Sequence, residues 1–137
     1  MPNVFVMKHT NAVGTAVFIT FSGNCRKALS FYQTCFGGKL RFEFLGKDLQ
    51  AFTEQPVVSG SLISERIILY GSDLVQEEGR KIGNYISIFL LCKNAADRRM
   101  LIAKLKAAQK EVPQQVEEES KLIELRDAFD VSWVLGI

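Results

Sequence analysis

Residues 15–45 read TAVFITFSGNCRKALSFYQTCFGGKLRFEFL, and this stretch decides the fold. Its first part, Thr15–Phe21, alternates and is rich in β-branched and aromatic residues, a pattern that predicts a strand. From Cys25 onward the apolar residues recur at the spacing of one helix face, and Asn24 is a favourable N-cap residue. The sequence therefore predicts a strand followed by a helix.

The same stretch also predicts where the helix ends. Gly37-Gly38 offers the left-handed conformation that terminates many helices. Leu40, Phe42 and Phe44 then alternate with polar residues, which indicates a half-buried strand. Two further strands are predicted at Val57–Ile63 and Arg66–Tyr70. The first part of the chain thus has the pattern β-α-β-β-β.

The end of the chain repeats this pattern. Asn84–Cys92 is predicted as a strand, and Asn94 with Asp97 resembles a capping box at the start of a second helix. Lys121–Arg126 and Val131–Leu135 are predicted as the last two strands. We interpret the chain as a single domain made of two β-α-β-β-β modules, residues 12–73 and 84–137, joined by a linker over 74–83.

Composition restricts the classes of function. The chain has 137 residues, of which 47% are hydrophobic and 23% charged, as expected for one globular domain. A net charge of +2 without a basic stripe argues against a nucleic-acid partner. No apolar run reaches the roughly 20 residues that cross a bilayer, and no secretory signal is recognisable. We therefore expect a cytoplasmic protein with no membrane partner, whose three cysteines are reduced.

Three motifs in order resemble one known family. Residues 21–28, followed by Phe31-Tyr32 and the Phe-Gly-Gly at 36–38, resemble the opening of the PhnB-like branch of the glyoxalase/bleomycin-resistance (vicinal oxygen chelate) superfamily. Residues 69–73 (LYGSD) resemble the end of that branch's first module, and residues 127–133 (DAFDVSW) resemble its closing motif. Together the motifs cover most of residues 15–135.

The resemblance implies an α+β fold in which two β-α-β-β-β modules form curved mixed sheets around a cavity, usually in a homodimer. In metal-dependent members, His or Gln from the first strand of each module and Glu from the last strand hold a divalent ion. The matching positions in this sequence are Val17, Ser87 and Val134, and a His often found on the third strand is replaced by Ser59. Valine has no donor atom and a serine hydroxyl is a poor ligand for such ions. We therefore predict no metal site and no cofactor.

Other catalytic arrangements are weakly represented. The only histidine is His9, far from the cysteines in sequence, and no Gly-rich phosphate loop occurs. Glu43, Glu65 and Glu124 are assigned to or beside predicted strands, where one of them could act as a base inside a cavity. We assign no catalytic residue, and the sequence favours a protein that is not an enzyme without deciding the matter.

Strand alternation, counted from the matched positions, predicts which side chains line the cavity. The set combines apolar residues with hydroxyls, which suits a small apolar ligand. The leading hypothesis is a metal-independent homodimer that binds such a ligand; the alternatives are a lyase, dioxygenase or isomerase of the same superfamily, and a structural dimer with a closed cavity. The predicted lining is Val17, Ile19, Phe21, Ser59, Ser61, Tyr70, Ser87 and Val134.

Overall fold

The computed structural model describes residues 14–44, 56–73, 82–83, 85–108 and 120–137. The chain divides into two compact units, Met1–Arg80 and Lys81–Ile137. In the part that the model describes, neither helix combines the length and the apolar character that a membrane span requires.

Among its described residues, the first unit contains one helix and a mixed sheet of four strands in the order β1-β4-β3-β2. Strand β1 runs parallel to β4, whereas β4 with β3 and β3 with β2 are antiparallel. These elements confirm the pattern predicted for the first module. Their bounds are β1 Val17–Thr20, α1 Cys25–Phe36, β2 Lys39–Phe44, β3 Val57–Ile63 and β4 Ile68–Ser72.

The second unit repeats the arrangement with three described strands in the order β5-β7-β6. Strand β5 is parallel to β7, and β7 is antiparallel to β6. A strand between α2 and β6, which the predicted pattern requires, would fall within 109–119, outside the described residues. The bounds are β5 Ile88–Leu91, α2 Ala95–Lys106, β6 Leu122–Arg126 and β7 Ser132–Gly136.

Glycine allows α1 to lie close to the first sheet. A Cβ at Gly60 would lie 2.9 Å from Cδ1 of Leu29, and a Cβ at Gly71 would lie 3.0 Å from Sγ of Cys25. Leu29 and Cys25 both belong to the buried side of α1. Because Gly60 and Gly71 are register partners, they define one face of the sheet, which we call its helix face. The opposite face is called the distal face.

Alternating burial separates the two faces of the second sheet as well. Trp133 and Leu135 of β7 are fully buried. Their neighbours across the sheet, such as Leu90, are buried too, so this is the helix face. Phe89 and Leu122 point the other way and are 55% and 59% exposed. The distal face of this sheet therefore carries apolar side chains at its surface.

Candidate functional site

The two strand-to-helix junctions differ in length by one residue. The Phe21 amide donates to the Ser72 carbonyl at 2.8 Å, and the Cys92 amide donates to the Gly136 carbonyl at the same distance. These two bonds make Phe21 and Cys92 equivalent positions. Three residues then precede helix α1, but only two precede α2. The additional residue of the first junction is Gly23, at φ 102°, a conformation that glycine adopts without steric cost.

This additional residue corrects the predicted facing of strand β1. Val17 pairs with Leu69 and Ile19 with Gly71, so both side chains lie on the helix face rather than on the face of Tyr70. Phe21, also predicted to line the cavity, is fully buried. The predicted positions were located by counting the same number of residues back from Asn24 and from Asn94, which assumes that the two junctions are equally long. A one-residue difference moves every side chain of a strand to the other face.

The distal face of the first sheet instead carries Phe18, Tyr70 and Ser61 in one row. Phe18 pairs with Tyr70, and Tyr70 pairs with Ser61. The row runs from the sheet edge, where Phe18 is 62% exposed, to the interior, where Ser61 is 1% exposed. Ser59 shares this face by alternation and is buried. The predicted residues Ser59, Ser61 and Tyr70 therefore lie together, without Val17 and Ile19.

Ser61 is an unusual member of that row. Its Oγ is buried and has no hydrogen-bond partner among the residues that the structure describes. A buried hydroxyl without a partner costs about 1–3 kcal/mol relative to a satisfied one. Such atoms are uncommon in folded proteins and require a physical explanation.

The other two predicted residues, Ser87 and Val134, lie on the distal face of the second sheet. Val134 pairs with Phe89 and with Glu124, and Ser87 precedes β5 two residues before Phe89. Ser87 also lines a cavity of about 310 Å³ on this sheet. Arg126 and Ser132 were not predicted there, although the alternation of β6 and β7 around Glu124 and Val134 would have found them. The lining residues are Ser87, Glu124, Leu125, Arg126, Ser132 and Trp133.

The positions available for a divalent ion do not fit one. By strand equivalence the counterpart of Ser87 is Ala16 rather than Val17, and alanine has no donor atom either. Val134 corresponds to Tyr70 in the first sheet. The residues at these equivalent positions therefore offer only hydroxyl groups as ligands for an ion. Across the described ranges, no group of three or more His, Cys, Asp or Glu could hold a metal ion. We derive no metal chemistry from this site.

Asp73 organises the first junction, and the sequence did not reveal this role. Its Oδ1 accepts the backbone N–H groups of Gly23 at 2.8 Å and Cys25 at 2.9 Å, and its Oδ2 accepts that of Val57 at 2.9 Å. Burial, with a smaller contribution from the charge of Asp73, raises the pKa of the Cys25 thiol from 9.0 to about 12. Cys25 is therefore a protonated core side chain and not a nucleophile.

Three solved structures place this geometry among known proteins. Protein PA1353 from Pseudomonas aeruginosa is 20% identical, with a TM-score of 0.70 over 91% of this chain and 97% of its own. The PhnB protein from Bacillus cereus is 20% identical, with a TM-score of 0.64 over 90% and 98%. The fosfomycin resistance protein FosX from Listeria monocytogenes, solved with Mn(II) and sulfate, is 13% identical, with a TM-score of 0.57 over 92% of both chains.

Sequence comparison adds no closer assignment. No family model matches the chain, and no curated protein matches it. At 20% identity or less, the structural likeness establishes the fold and does not transfer activity or ligands. The two mixed sheets, each with its helix, confirm the predicted resemblance at the level of the fold. The chain has the βαβββ fold of the glyoxalase/bleomycin-resistance superfamily.

Proposed function

We propose that this protein binds a small, largely apolar ligand on the distal face of its first sheet without a metal ion. The observation that carries the proposal is the buried Oγ of Ser61, which has no hydrogen-bond partner among the described residues. A polar atom of a ligand would supply that partner and recover the free energy that the unpaired hydroxyl costs. A binding role thus explains a feature that folding alone leaves unfavourable.

The side chains beside Ser61 suit an apolar or aromatic molecule. Phe18 is largely exposed at the sheet edge, and Tyr70 is half-buried between Phe18 and Ser61. Aromatic rings bury large apolar areas and favour stacked or edge-to-face contacts with other rings. A ligand that lies along this row would contact both rings, and with a shift of the groups that bury Ser61 it would reach the hydroxyl.

The donor set supports the proposal that binding is independent of metal. The positions that match the family's ligands carry Val17, Ser87 and Val134, and the structurally corrected first position carries Ala16. The three glutamates considered as bases, Glu43, Glu65 and Glu124, are all exposed. The arrangement therefore supports binding better than catalysis by a buried carboxylate.

The test uses the full chain, purified without chelator, assayed for bound metals and then followed by thermal shift. We expect no stoichiometric metal and no rise in melting temperature with zinc, nickel, manganese or iron. We expect a concentration-dependent rise with small aromatic probes such as indole, because ligands that bind only the folded state stabilise it. A stoichiometric metal, or a melting temperature that rises with one of these ions, would overturn metal independence.

A matched pair of serine variants locates the site. Ser61→Ala removes the unpaired hydroxyl and is expected to leave stability unchanged or slightly higher, while weakening indole binding. Ser22→Ala, at an exposed position of the first junction, is the control and should bind indole as the parent does. Equal indole binding by both variants would show that Ser61 is not part of the site, and no stabilisation by any aromatic probe would overturn the proposal.

A homodimer stays a prediction. Analytical ultracentrifugation of the full chain would give one species at twice the monomer mass of 15.4 kDa if the prediction is right. A monomer across the micromolar range would contradict it.

A further inference from the structure

The hydrogen bonds that make Phe21 and Cys92 equivalent also allow the distal faces of the two sheets to be compared position by position. Three residues before these positions, each sheet carries a phenylalanine on its distal face: Phe18 in β1 and Phe89 in β5. Their side chains are 62% and 55% exposed. The row that begins at Phe18, to which the proposed function assigns a ligand, therefore has a counterpart that begins at Phe89.

The counterpart row has a carboxylate where the first row has a buried hydroxyl. In the first sheet, Ser61 is the register partner of Tyr70. At the equivalent position of the second sheet, Glu124 is the register partner of Val134. Glu124 is exposed, and within the described ranges its carboxylate forms no hydrogen bond or ion pair. The second row therefore ends in a negative charge that a ligand can reach.

The surroundings of this carboxylate favour a group with several N–H donors. Glu124 lines the cavity of about 310 Å³ on this sheet, and so do Ser87 and Ser132. Each serine hydroxyl oxygen can accept a hydrogen bond, as the carboxylate oxygens do. A protonated primary amine has three N–H donors and one positive charge. This end of the row is therefore suited to an ammonium group.

Arg126 lies two residues from Glu124 on the same face of β6 and is already engaged in other contacts. Its Nη2 donates to the Gly83 carbonyl at 3.2 Å, and Arg126 takes part in a further interaction besides. We therefore assign it no contact with a ligand. Positions two residues apart in a strand are separated by about 7 Å. At that distance its repulsion of an ammonium is less than half of the attraction between the ammonium and Glu124 at about 3 Å, for the same dielectric constant. The ammonium is therefore attracted to Glu124 in the presence of Arg126.

An apolar surface lies beside this carboxylate. Leu122 precedes Glu124 by two residues on the same face of β6, a distance of about 7 Å along the strand. The side chains of Leu122 and Phe89 meet above Gly136, because a Cβ there would lie 2.9 Å from the Phe89 ring and 3.3 Å from Cδ2 of Leu122. Both side chains remain more than half exposed. An aromatic ring that rests on them would bury apolar area and could stack on the Phe89 ring.

We infer that the distal face of the second sheet binds a primary amine with an aromatic body. The ammonium group contacts Glu124 and the serine hydroxyls of the same cavity, and the ring lies on Phe89 and Leu122. The cavity volume is at the lower end of the range for small-molecule sites, which suits a ligand with one ring and a short alkyl chain. The inference goes beyond the proposed function, because it assigns a second site, with a charged ligand, to the other sheet.

The experiment measures binding of three probes to the full chain by calorimetry and by amide chemical shifts. Phenethylamine carries the ring and the ammonium, phenethyl alcohol carries the ring with an uncharged hydroxyl, and butylamine carries the ammonium without a ring. We expect phenethylamine to bind with shifts at Ser87, Phe89 and Val134. Phenethyl alcohol should bind this face about tenfold more weakly, because it lacks the charge-assisted contact with Glu124. Butylamine, which lacks the ring, should also bind more weakly.

A pair of variants tests the role of the carboxylate. Glu124→Gln is nearly isosteric at an exposed position and should raise the dissociation constant for phenethylamine about tenfold. Glu65→Gln, exposed in the turn between β3 and β4 of the other unit, should leave it unchanged. Equal affinity for phenethylamine and phenethyl alcohol, or an unchanged affinity in Glu124→Gln, would overturn the inference.

The same measurements keep the inference and the proposed function distinguishable. If phenethylamine fails to bind at millimolar concentration while indole stabilises the protein through Ser61, the inference is wrong and the proposed function stands. If indole and the other neutral aromatic probes fail while phenethylamine binds through Glu124, the proposed function is wrong and the inference stands. Phenethylamine binding that is lost in Ser61→Ala and kept in Glu124→Gln would place the amine on the first sheet and overturn the inference.

Discussion

In the described part of each unit, a buried aspartate accepts at least three N–H groups through its carboxylate. The two aspartates, Asp73 and Asp127, differ in how far away in sequence these donors lie. The donors to Asp73 are the backbone amides of Gly23, Cys25 and Val57, which lie 50, 48 and 16 residues away in sequence. Three donors to Asp127 are the amides of residues 129 and 131 and the indole of residue 133, which lie within six residues of it in sequence. These three hydrogen bonds are local, whereas the three to Asp73 are long-range.

The difference shows how each unit stabilises its chain connections. Asp73 holds together the end of β4, the start of β3 and the junction before α1, so three separate segments depend on it. Asp127 orders the turn between β6 and β7, where Asp130 adopts φ 65°. The second junction is stabilised separately by Asn94, whose side chain accepts the Asp97 amide at 2.8 Å. In the first unit a single carboxylate therefore stabilises these chain connections. In the second unit the stabilising side chains lie at two sites, Asp127 and Asn94.

The largest effect is expected when Asp73 is replaced. Asp73→Ala leaves three buried or partly buried N–H groups without an acceptor, and groups so distant in sequence cannot restore their bonds locally. At about 1–3 kcal/mol for each orphaned group, we expect a loss of about 4 kcal/mol in the free energy of unfolding. Asp127→Ala should cost about 2 kcal/mol, because a short turn can rearrange so that its N–H groups form hydrogen bonds with water. Chemical denaturation of both variants measures the two costs.

Hydrogen exchange provides the control for that comparison. Asp73→Ala should speed exchange of the Gly23, Cys25 and Val57 amides, whereas Asp127→Ala should affect only amides of its own turn. An equal or greater loss of stability in Asp127→Ala would contradict the distinction between long-range and local carboxylates.

Sequence patterns predicted the two strands on either side of Asp127 but not the role of Asp73. The run Asp127-Ala128-Phe129-Asp130 is a local signal, and the order of strands and helices was predicted from equally local periodicity. The contacts of Asp73 join segments that only the folded sheet brings together, so no pattern around residue 73 could indicate them. Local structure was therefore predictable, and the long-range hydrogen bonds were not.

The candidate site shows the same limit. Ser59, Ser61 and Tyr70 were predicted to lie together, and the sheet register places them on one face. Val17 and Ile19 were placed on the wrong face, because the single residue Gly23 lengthens the first junction. Facing within a strand follows from the register with its neighbours, and an N-cap several residues away does not determine it.

The raised pKa of Cys25 predicts how stability depends on pH at the junction that Asp73 organises. Because burial and the charge of Asp73 raise the pKa of this thiol to about 12, the folded state keeps its proton at pH values where the unfolded chain, near 9.0, loses it. The contribution of this pKa difference to the free energy of unfolding is fully present below pH 9 and is lost as pH rises toward 12. We expect the free energy of unfolding to fall across this range more steeply in the parent than in Cys25→Ala. Parallel curves from denaturation at pH 8 to 11 would contradict the shift.

Trp133→Phe tests how much the hydrogen bond from the indole to Asp127 contributes to the free energy of unfolding. The change removes the indole N–H that donates to Asp127 Oδ2 at 2.8 Å, and it leaves a small space at a fully buried position. We expect a loss of about 2 kcal/mol in the free energy of unfolding. A double-mutant cycle with Asp127→Ala should show a coupling of about 1 kcal/mol. Additive losses would mean that the indole contributes through packing alone.

The smallest effects are expected at Asn24 and Asn94, which precede the two helices. Replacing Asn94 should lower the free energy of unfolding, whereas replacing Asn24 should not. Asn94 caps α2 through its side chain, so Asn94→Ala should cost about 1 kcal/mol. Asn24 makes no side-chain cap, and its buried Oδ1 has no hydrogen-bond partner within the described part of the chain. Asn24→Ala therefore removes an unsatisfied acceptor and should be neutral or slightly stabilising. Thermal and chemical denaturation of the two variants would contradict this contrast if Asn24→Ala proved the more costly. That result would mean that the Asn24 side chain stabilises the first junction together with Asp73.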